Sequence, residues 1–327
     1  MDSATYGAGW PKRSSGMDGE NLSSGRLRVS WCKILEDLGY QYDFISYLDV
    51  QEGRIDLSKR FKIIILPQTI CLSDREVSAL SEFVKSGGML IADALCGLLT
   101  ETGRGRGAGA LDDLFGIRRD ESRGYLDGRG ITEIDGEYSS KPFPERLRAY
   151  DNALRYRSMV VFERGTRAAS GTSAGATETA EVLIRKKTGS GQSLYLNLTP
   201  LAYEYFPYRA GEIGEAWREV IGKAHNDIGL RPRVEILGDS GNEPWMEALL
   251  WRNGNRYCLA VLKNLSPSGD GAASAPDRDR KRIAIRINLP VKRLRNSRTK
   301  KVFGDVTSFT DDFNPWEANL YEFALAK

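Results

Sequence analysis

The chain of 327 residues contains one histidine, His225, and four cysteines, Cys32, Cys71, Cys96 and Cys258. Each scarcity closes off a class of chemistry. A zinc site would have to draw cysteines or carboxylates from distant loops. No CxxC or other metal or redox spacing is present. No metal and no cofactor are therefore expected. Cys32, Cys71 and Cys258 lie among apolar residues, where a free thiol packs as a small hydrophobe, and such usage suits a reducing compartment. No apolar run approaches the roughly 18 residues of a membrane span. The opening Met1-Asp2-Ser3-Ala4-Thr5 has neither the basic start nor the apolar stretch of a signal peptide. A cytoplasmic location with no membrane partner is the expectation. A dominant charge is also lacking. With 47 basic and 44 acidic residues the net charge is +3, too balanced for a nucleic-acid footprint. One basic run, Lys292-Arg293-Leu294-Arg295 with Arg298, Lys300 and Lys301, reads as a solvated hairpin rim.

What is present suits an ordinary globular chain of two domains: 41% of residues are hydrophobic and 28% charged. Residues 1–25 are rich in Gly and Ser and read as a loop. A helix follows from about Arg26 to Leu38, with Val29, Cys32, Leu35 and Leu38 on one face, and Tyr42–Leu48 reads as a strand. Phe61–Leu66 (FKIIIL) is a short Ile-rich run of the kind found in a parallel sheet buried on both faces. Ser73-Asp74-Arg75-Glu76 is a capping box that opens a helix carrying Val77, Leu80, Phe83 and Val84. Gly87-Gly88 closes that helix, and Met89–Ala92 begins the next strand, completing a βαβ unit. Further strands are expected in 158–163, 180–187 and 193–198, with a Gly/Ser/Ala/Thr-rich loop at 168–177 and a helix at about 213–228. The fold expected for 26–230 is an open doubly wound α/β sheet of the flavodoxin or glutamine amidotransferase kind. After Gly229 the helical period gives way to short alternating runs. Residues 231–327 are expected to form an all-β, immunoglobulin-like sandwich, with a mobile loop at 266–280.

Several of these residues carry a resemblance. Leu66-Pro67, Leu72-Ser73-Asp74-Arg75-Glu76, Gly87-Gly88, Cys96-Gly97 and Leu111-Asp112-Asp113-Leu114-Phe115-Gly116 together resemble the trimerisation domain of glycoside hydrolase family 42 β-galactosidases. The likeness covers about 26–120 well and 180–230 loosely, and the C-terminal sandwich resembles the small β-domain that closes such enzymes. It implies a homo-oligomer, a trimer by analogy, that supports a separate glycoside hydrolase catalytic domain. In that family a (β/α)8 barrel precedes this domain and holds both catalytic carboxylates. A barrel needs roughly 200 residues or more, whereas only a loop precedes residue 26, so no catalytic pair is expected in this chain. The first strand of the sheet is expected to be truncated or missing, with Ala4-Thr5-Tyr6 where it would end.

The remaining candidates are weighed by their chemistry. Members of the amidotransferase-like class carry a Cys nucleophile on a tight turn, served by a His and backbone oxyanion donors. Cys96 follows the MLIA strand but falls a residue or two beyond the elbow. His225 sits near a helix end, where a charge partner for the dipole is the ordinary role. A Cys96–His225 hydrolase or amidotransferase is the enzymatic alternative. Gln68, Asp93 and Glu101 would line the crevice at the strand ends where such sheets bind ligands. Gly103–Gly109 (GRGRGAG) lacks the features of a phosphate loop and reads as a flexible basic loop. Tyr203, Tyr205, Tyr208 and Arg209, near Glu204, Glu212 and Glu215, suggest packed edges of a loop into a helix, or an interface or sugar-contacting patch. A third alternative is a carbohydrate-binding module using Trp245, Trp251 or Trp316, with Trp251 placed by alternation in the core.

Overall fold

The computed structural model describes residues 19–120, 125–127, 135–136, 161–163, 165–176, 181–200, 203, 209, 212–238, 241–242, 246–263, 281–314 and 317–326. Of the opening loop expected over 1–25, residues 19–25 are helical instead, the helical turn hydrogen bonds extending the helix expected from Arg26 toward the N-terminus; residues 1–18, with the strand remnant at Ala4–Tyr6, and the loop at 266–280 lie outside the described residues. The described residues divide into two compact units: those within 1–31, 44–204 and 211–229, and those within 32–43, 205–210 and 230–327.

Helix α1 spans Gly19–Asp37. The chain then runs without regular structure to Ser46, whose hydroxyl accepts a hydrogen bond from Leu48 N and caps the short helix α2, Tyr47–Gln51. The strand expected over Tyr42–Leu48 is therefore not formed. Ile45 and Val50 pack against the core while Phe44, Tyr47 and Leu48 point to solvent. Asp56 caps α3, Leu57–Arg60. Strand β1, Ile63–Leu66, leads to helix α4, Asp74–Lys85, and strand β2, Met89–Ala92. The capping box forms as read: Ser73 N donates to Glu76 Oε2 at 2.8 Å and Glu76 N donates to Ser73 Oγ at 3.2 Å. Such a cap is worth about 1 kcal/mol.

After β2 come α5 (Asp112–Phe115), β3 (Ile117–Arg118), β4 (Tyr125–Asp127), β5 (Asp135–Gly136), β6 (Val161–Glu163), β7 (Arg167–Ala168), β8 (Thr172–Ala176), β9 (Glu181–Thr188), β10 (Gly191–Leu196) and helix α6 (Glu212–Asp227). The main sheet is mixed, in the order β1-β2-β10-β9-β8-β5. β2 pairs in parallel with β1 and β10, and all four of its residues are buried, as the apolar run required. Beyond β10 the sheet turns antiparallel through the β9–β10 hairpin and then β8. β8 falls in the stretch read as a loop. Its small residues serve packing: a Cβ on Gly175 would press into the Leu183 side chain.

The second unit holds the sandwich. β11 (Val234–Gly238), β12 (Gly241–Asn242), β13 (Met246–Asn253), β14 (Arg256–Lys263), β15 (Lys281–Ile287), β16 (Val291–Asn296), β17 (Val302–Gly304), β18 (Ser308–Phe313) and β19 (Ala318–Leu325) form two antiparallel sheets, β12-β11-β15-β18 and β13-β14-β19-β16-β17. Residues from both sheets, among them Ile236, Leu259, Ile285, Leu294, Phe313 and Tyr321, share one core. The basic run lies on the β16–β17 hairpin and is solvated as read: Lys292, Arg293 and Arg295 are exposed on β16, and Arg298, Lys300 and Lys301 are exposed in the connection to β17. β16 itself buries Val291 and Leu294 and carries a bulge where Arg293 takes φ +58°.

Candidate functional site

In an open α/β sheet, ligands collect where the parallel strands end. Both turns there are left-handed at non-glycine residues: Gln68 after β1 has φ +40° and Leu95 after β2 has φ +72°. Such backbone costs about 1–2 kcal/mol for an L-residue, and at each turn a buried carboxylate receives the local N–H. Gln68 N donates to Asp93 Oδ1, and Trp31 Nε1 donates to Asp93 Oδ2 at 3.0 Å. Leu95 N donates to Glu163 Oε1 at 2.7 Å.

Glu163 is the hub. Its Oε1 also accepts from Tyr195 Oη at 2.8 Å, and its Oε2 accepts from Arg119 Nε at 2.9 Å and Thr166 Oγ1 at 2.7 Å. Arg119 donates further to Cys96 O at 2.9 Å and to Tyr195 Oη at 3.2 Å. Asp112 Oδ1 lies 2.6 Å from Arg119 Nη1, a Coulombic contact without hydrogen-bond angles. Gly109 makes room for this pair, because a Cβ there would overlap both the guanidinium and the carboxylate. Burial pulls the Arg119 pKa down, but Tyr195, Glu163 and Asp112 outweigh it and hold the group charged. Burial raises Asp112 to about 6, opposed by Arg119. Asp93, fully buried with no cation among its bonds, rises to about 8.

This arrangement ties loops together rather than presenting a reactive group. The strained position of the turn after β2 is occupied by Leu95, not by a nucleophile. Cys96, the next residue, is buried, and burial pushes its thiol well up, away from the reactive thiolate. The charges acting on it come from Arg119, Asp93, Asp112 and Glu163. The His225 imidazole instead bonds Ile221 O through Nδ1 at 2.8 Å, and burial lowers its pKa to about 4, so it is neutral at pH 7. It is not the charged dipole partner that its helix-end position suggested.

Of the crevice candidates, Gln68 and Asp93 meet through the Gln68 backbone, with both Asp93 oxygens engaged. Glu101 is exposed on the turn closed by Gly103 N to Thr100 O. The Gly103–Gly109 stretch, read as a flexible basic loop, is fastened by Arg106, which donates to Leu72 O at 2.9 Å and to Asp74 Oδ1 at 2.8 Å. In the tyrosine patch the described residues take the packed alternative and not the surface one. Tyr203 is buried and accepts from Arg218 Nη1 at 2.9 Å, and Arg209 is buried in a two-pronged pair with Asp37. Neither offers a surface, and Tyr205 and Tyr208 lie outside the described residues. Trp251 is corrected. Met246, Ala248 and Leu250 point inward, which turns Trp251 to the outer face, 50% exposed. Trp245 and Trp316 are outside the described residues. The residues that sequence reasoning missed are Arg119, Glu163 and Tyr195. Among the described residues no group of three or more His, Cys, Asp or Glu side chains could hold a metal.

The described residues thus form a mixed α/β sheet, with buried and hydrogen-bonded carboxylates at its parallel strand ends, and a β-sandwich. The chain belongs to the family described as the β-galactosidase trimerisation domain, whose model matches residues 18–202. This agrees with the resemblance read in the sequence. Solved structures with the same fold include a glycoside hydrolase family 42 β-galactosidase from G. stearothermophilus, at TM-score 0.63 and 14% identity over 95% of this chain and 38% of that one. The β-galactosidase from Bacillus circulans sp. alkalophilus matches at TM-score 0.63 and 14% identity over 92% of this chain and 38% of that one. α-L-fucosidase isoenzyme 2 from Paenibacillus thiaminolyticus matches at TM-score 0.56 and 13% identity over 92% of this chain and 45% of that one. At such identities the likeness is one of fold. The chain spans about 38% of the length of the β-galactosidases it matches, in their non-catalytic part. A comparison with curated protein sequences found no match.

Proposed function

We propose that this chain is the self-associating, non-catalytic portion of a β-galactosidase-like glycoside hydrolase, and that it assembles as a homotrimer to support a catalytic barrel. Membership of the trimerisation-domain family carries the reading. The side chains at the strand ends favour it over catalysis. Glycoside hydrolysis needs two carboxyl groups facing each other across a substrate-wide gap, whereas Asp93, Asp112 and Glu163 are each buried and bonded to the protein itself. With Tyr203 and Arg209 buried, the surface best suited to a second copy is Phe44, Tyr47 and Leu48. Phe44 is 72% exposed, and Ile45 and Val50 anchor the segment from beneath. Aromatic and aliphatic side chains clustered in this way are what association buries. Light scattering after size exclusion tests the reading. A trimer that dissociates in F44E is the expected result, and a clean monomer of the unaltered chain at micromolar concentration would refute it.

A further inference from the structure

The outer face of the five-stranded sheet has an order that the self-association reading does not use. Cross-strand pairing places Trp251 beside Cys258, Cys258 beside Glu322, Glu322 beside Arg295 and Arg295 beside Val302, in one row across five strands. The neighbouring row runs Asn253, Arg256, Ala324, Lys292. Residues two apart on a strand share a face, and on β16 the bulge leaves Lys292 and Arg295, three apart, both exposed, so these side chains project on the side away from the sandwich core. Trp251 is half exposed, as expected of an indole with one face on the sheet and the other in water. Arg295 reaches Glu322 with Nε at 3.1 Å and Nη2 at 2.5 Å. Between the indole and this pair the floor consists of Cys258 and Ala324, small side chains that leave a shallow trough. Neighbouring strands lie about 4.8 Å apart, so Trp251 and Glu322 stand roughly 10 Å apart. The charges around the trough are mostly positive: Arg256, Lys292 and Arg295 against Glu322. One end of the same face is occupied from within the unit, where Gln41 Nε2 donates to Leu250 O at 3.3 Å and Lys33 and Glu36 stand near Glu247.

We propose that this trough is a binding site for an acidic oligosaccharide. A pyranose ring would lie on the exposed indole, with its C–H bonds against the π-face. A carboxylate or sulfate on the next ring would meet Arg256, Lys292 and Arg295, and Glu322 would accept from sugar hydroxyls while holding Arg295 in place. An aromatic plane supplies apolar contact without demanding a particular hydroxyl pattern. A guanidinium held by a carboxylate presents its remaining donors in a fixed fork suited to an oxyanion. The cationic majority selects an acidic sugar over a neutral one. The site is independent of the trimer: it lies on the sandwich, away from Phe44, Tyr47 and Leu48 in the sequence, and its ligand is a saccharide rather than a second chain.

The test is isothermal titration of the full chain with tetragalacturonate at low ionic strength, with neutral galactotetraose in a parallel arm. Saturable binding of the acidic sugar is expected, weakened about tenfold in W251A and by a similar factor in R295A, each a loss of about 1.4 kcal/mol. It should weaken further as salt screens the cations. Thermal melts of both variants check that the surface changes leave the fold intact. Four results would each overturn the proposal: no binding of tetragalacturonate, equal binding of galactotetraose, undiminished binding by W251A, or a change of oligomeric mass in W251A, which would make this face a contact between copies.

Discussion

Removing the Glu163 carboxylate should be the most damaging single change in the α/β unit. Four donors converge on it, from Leu95 N, Tyr195 Oη, Arg119 Nε and Thr166 Oγ1. In E163A the hydroxyls can turn elsewhere, but Arg119 Nε cannot, and Leu95 N is left with its longer bond to Tyr195 Oη at 3.3 Å. Arg119 keeps its bonds to Cys96 O and Tyr195 Oη but only Asp112, among the described residues, as a carboxylate partner, and breaking a buried pair from one side costs about 3–5 kcal/mol. The Leu95 N–H loses the shorter of its two bonds at a position whose left-handed backbone already carries a cost, which adds about 0.5–1.5 kcal/mol. E163Q keeps the volume yet turns an NH2 toward donors, so it should fall between E163A and the parent. Urea unfolding would read the loss as a lowered midpoint with unchanged slope, and hydrogen exchange would show faster opening at the Leu95 amide. Replacing both partners, in R119M/E163L, should recover much of the loss, because an apolar pair in place of a buried ion pair is often neutral. A loss below about 1 kcal/mol in E163A, with Leu95 still protected, would show that the hub does not hold the turn.

The other expectations are briefer. Asp93 has a folded pKa of about 8, above its ordinary 3.8. The folded state therefore holds the proton longer than the unfolded one, and stability should fall as pH rises from about 4 to about 8, by at most about 1.4 kcal/mol per pH unit; urea midpoints across that range should flatten in D93N. His225 has the opposite sign: its folded pKa of about 4 lies below the ordinary 6.5, so stability should be lost as pH falls between those values, and H225Q should remove that slope. G109A should destabilise by about 1–3 kcal/mol, the usual cost of overpacking, and should cost less in an R119M/D112A background, where both groups that a Cβ would overlap are gone; thermal melts would show whether the changes couple. Cys96 should resist iodoacetamide at pH 8 in the folded chain and react after unfolding, as mass spectrometry of the alkylated peptide would report.

The parts that could be read from sequence share a physical trait: their signal is local. The FKIIIL and MLIA runs, the Ser73 box and the alternating strands are each decided by residues a few positions apart. The misreadings occur where local pattern leaves a choice. Tyr42–Leu48 alternates like a strand, but a strand exists only with a pairing partner, and Ser46 starts a helix instead. Trp251 follows apolar residues on both phases of β13, Leu249 on one and Met246, Ala248 and Leu250 on the other, so alternation could not choose the inward face. The small residues of β8 carry no strand signal, because their size answers to Leu183 on the neighbouring strand. Glu163 and Arg119 are 44 positions apart, and Tyr195 lies 32 beyond Glu163; no spacing rule joins such residues before the sheet has formed.

The notch at position 109 ties three sites into one unit of inheritance. A lineage that gains a side chain there must first give up both the guanidinium and the carboxylate, and one that gives up both removes what excluded a side chain at 109. Across the relatives of this chain, glycine at 109, arginine at 119 and an acid at 112 should be kept together or lost together, leaving a record that sequences alone can reveal.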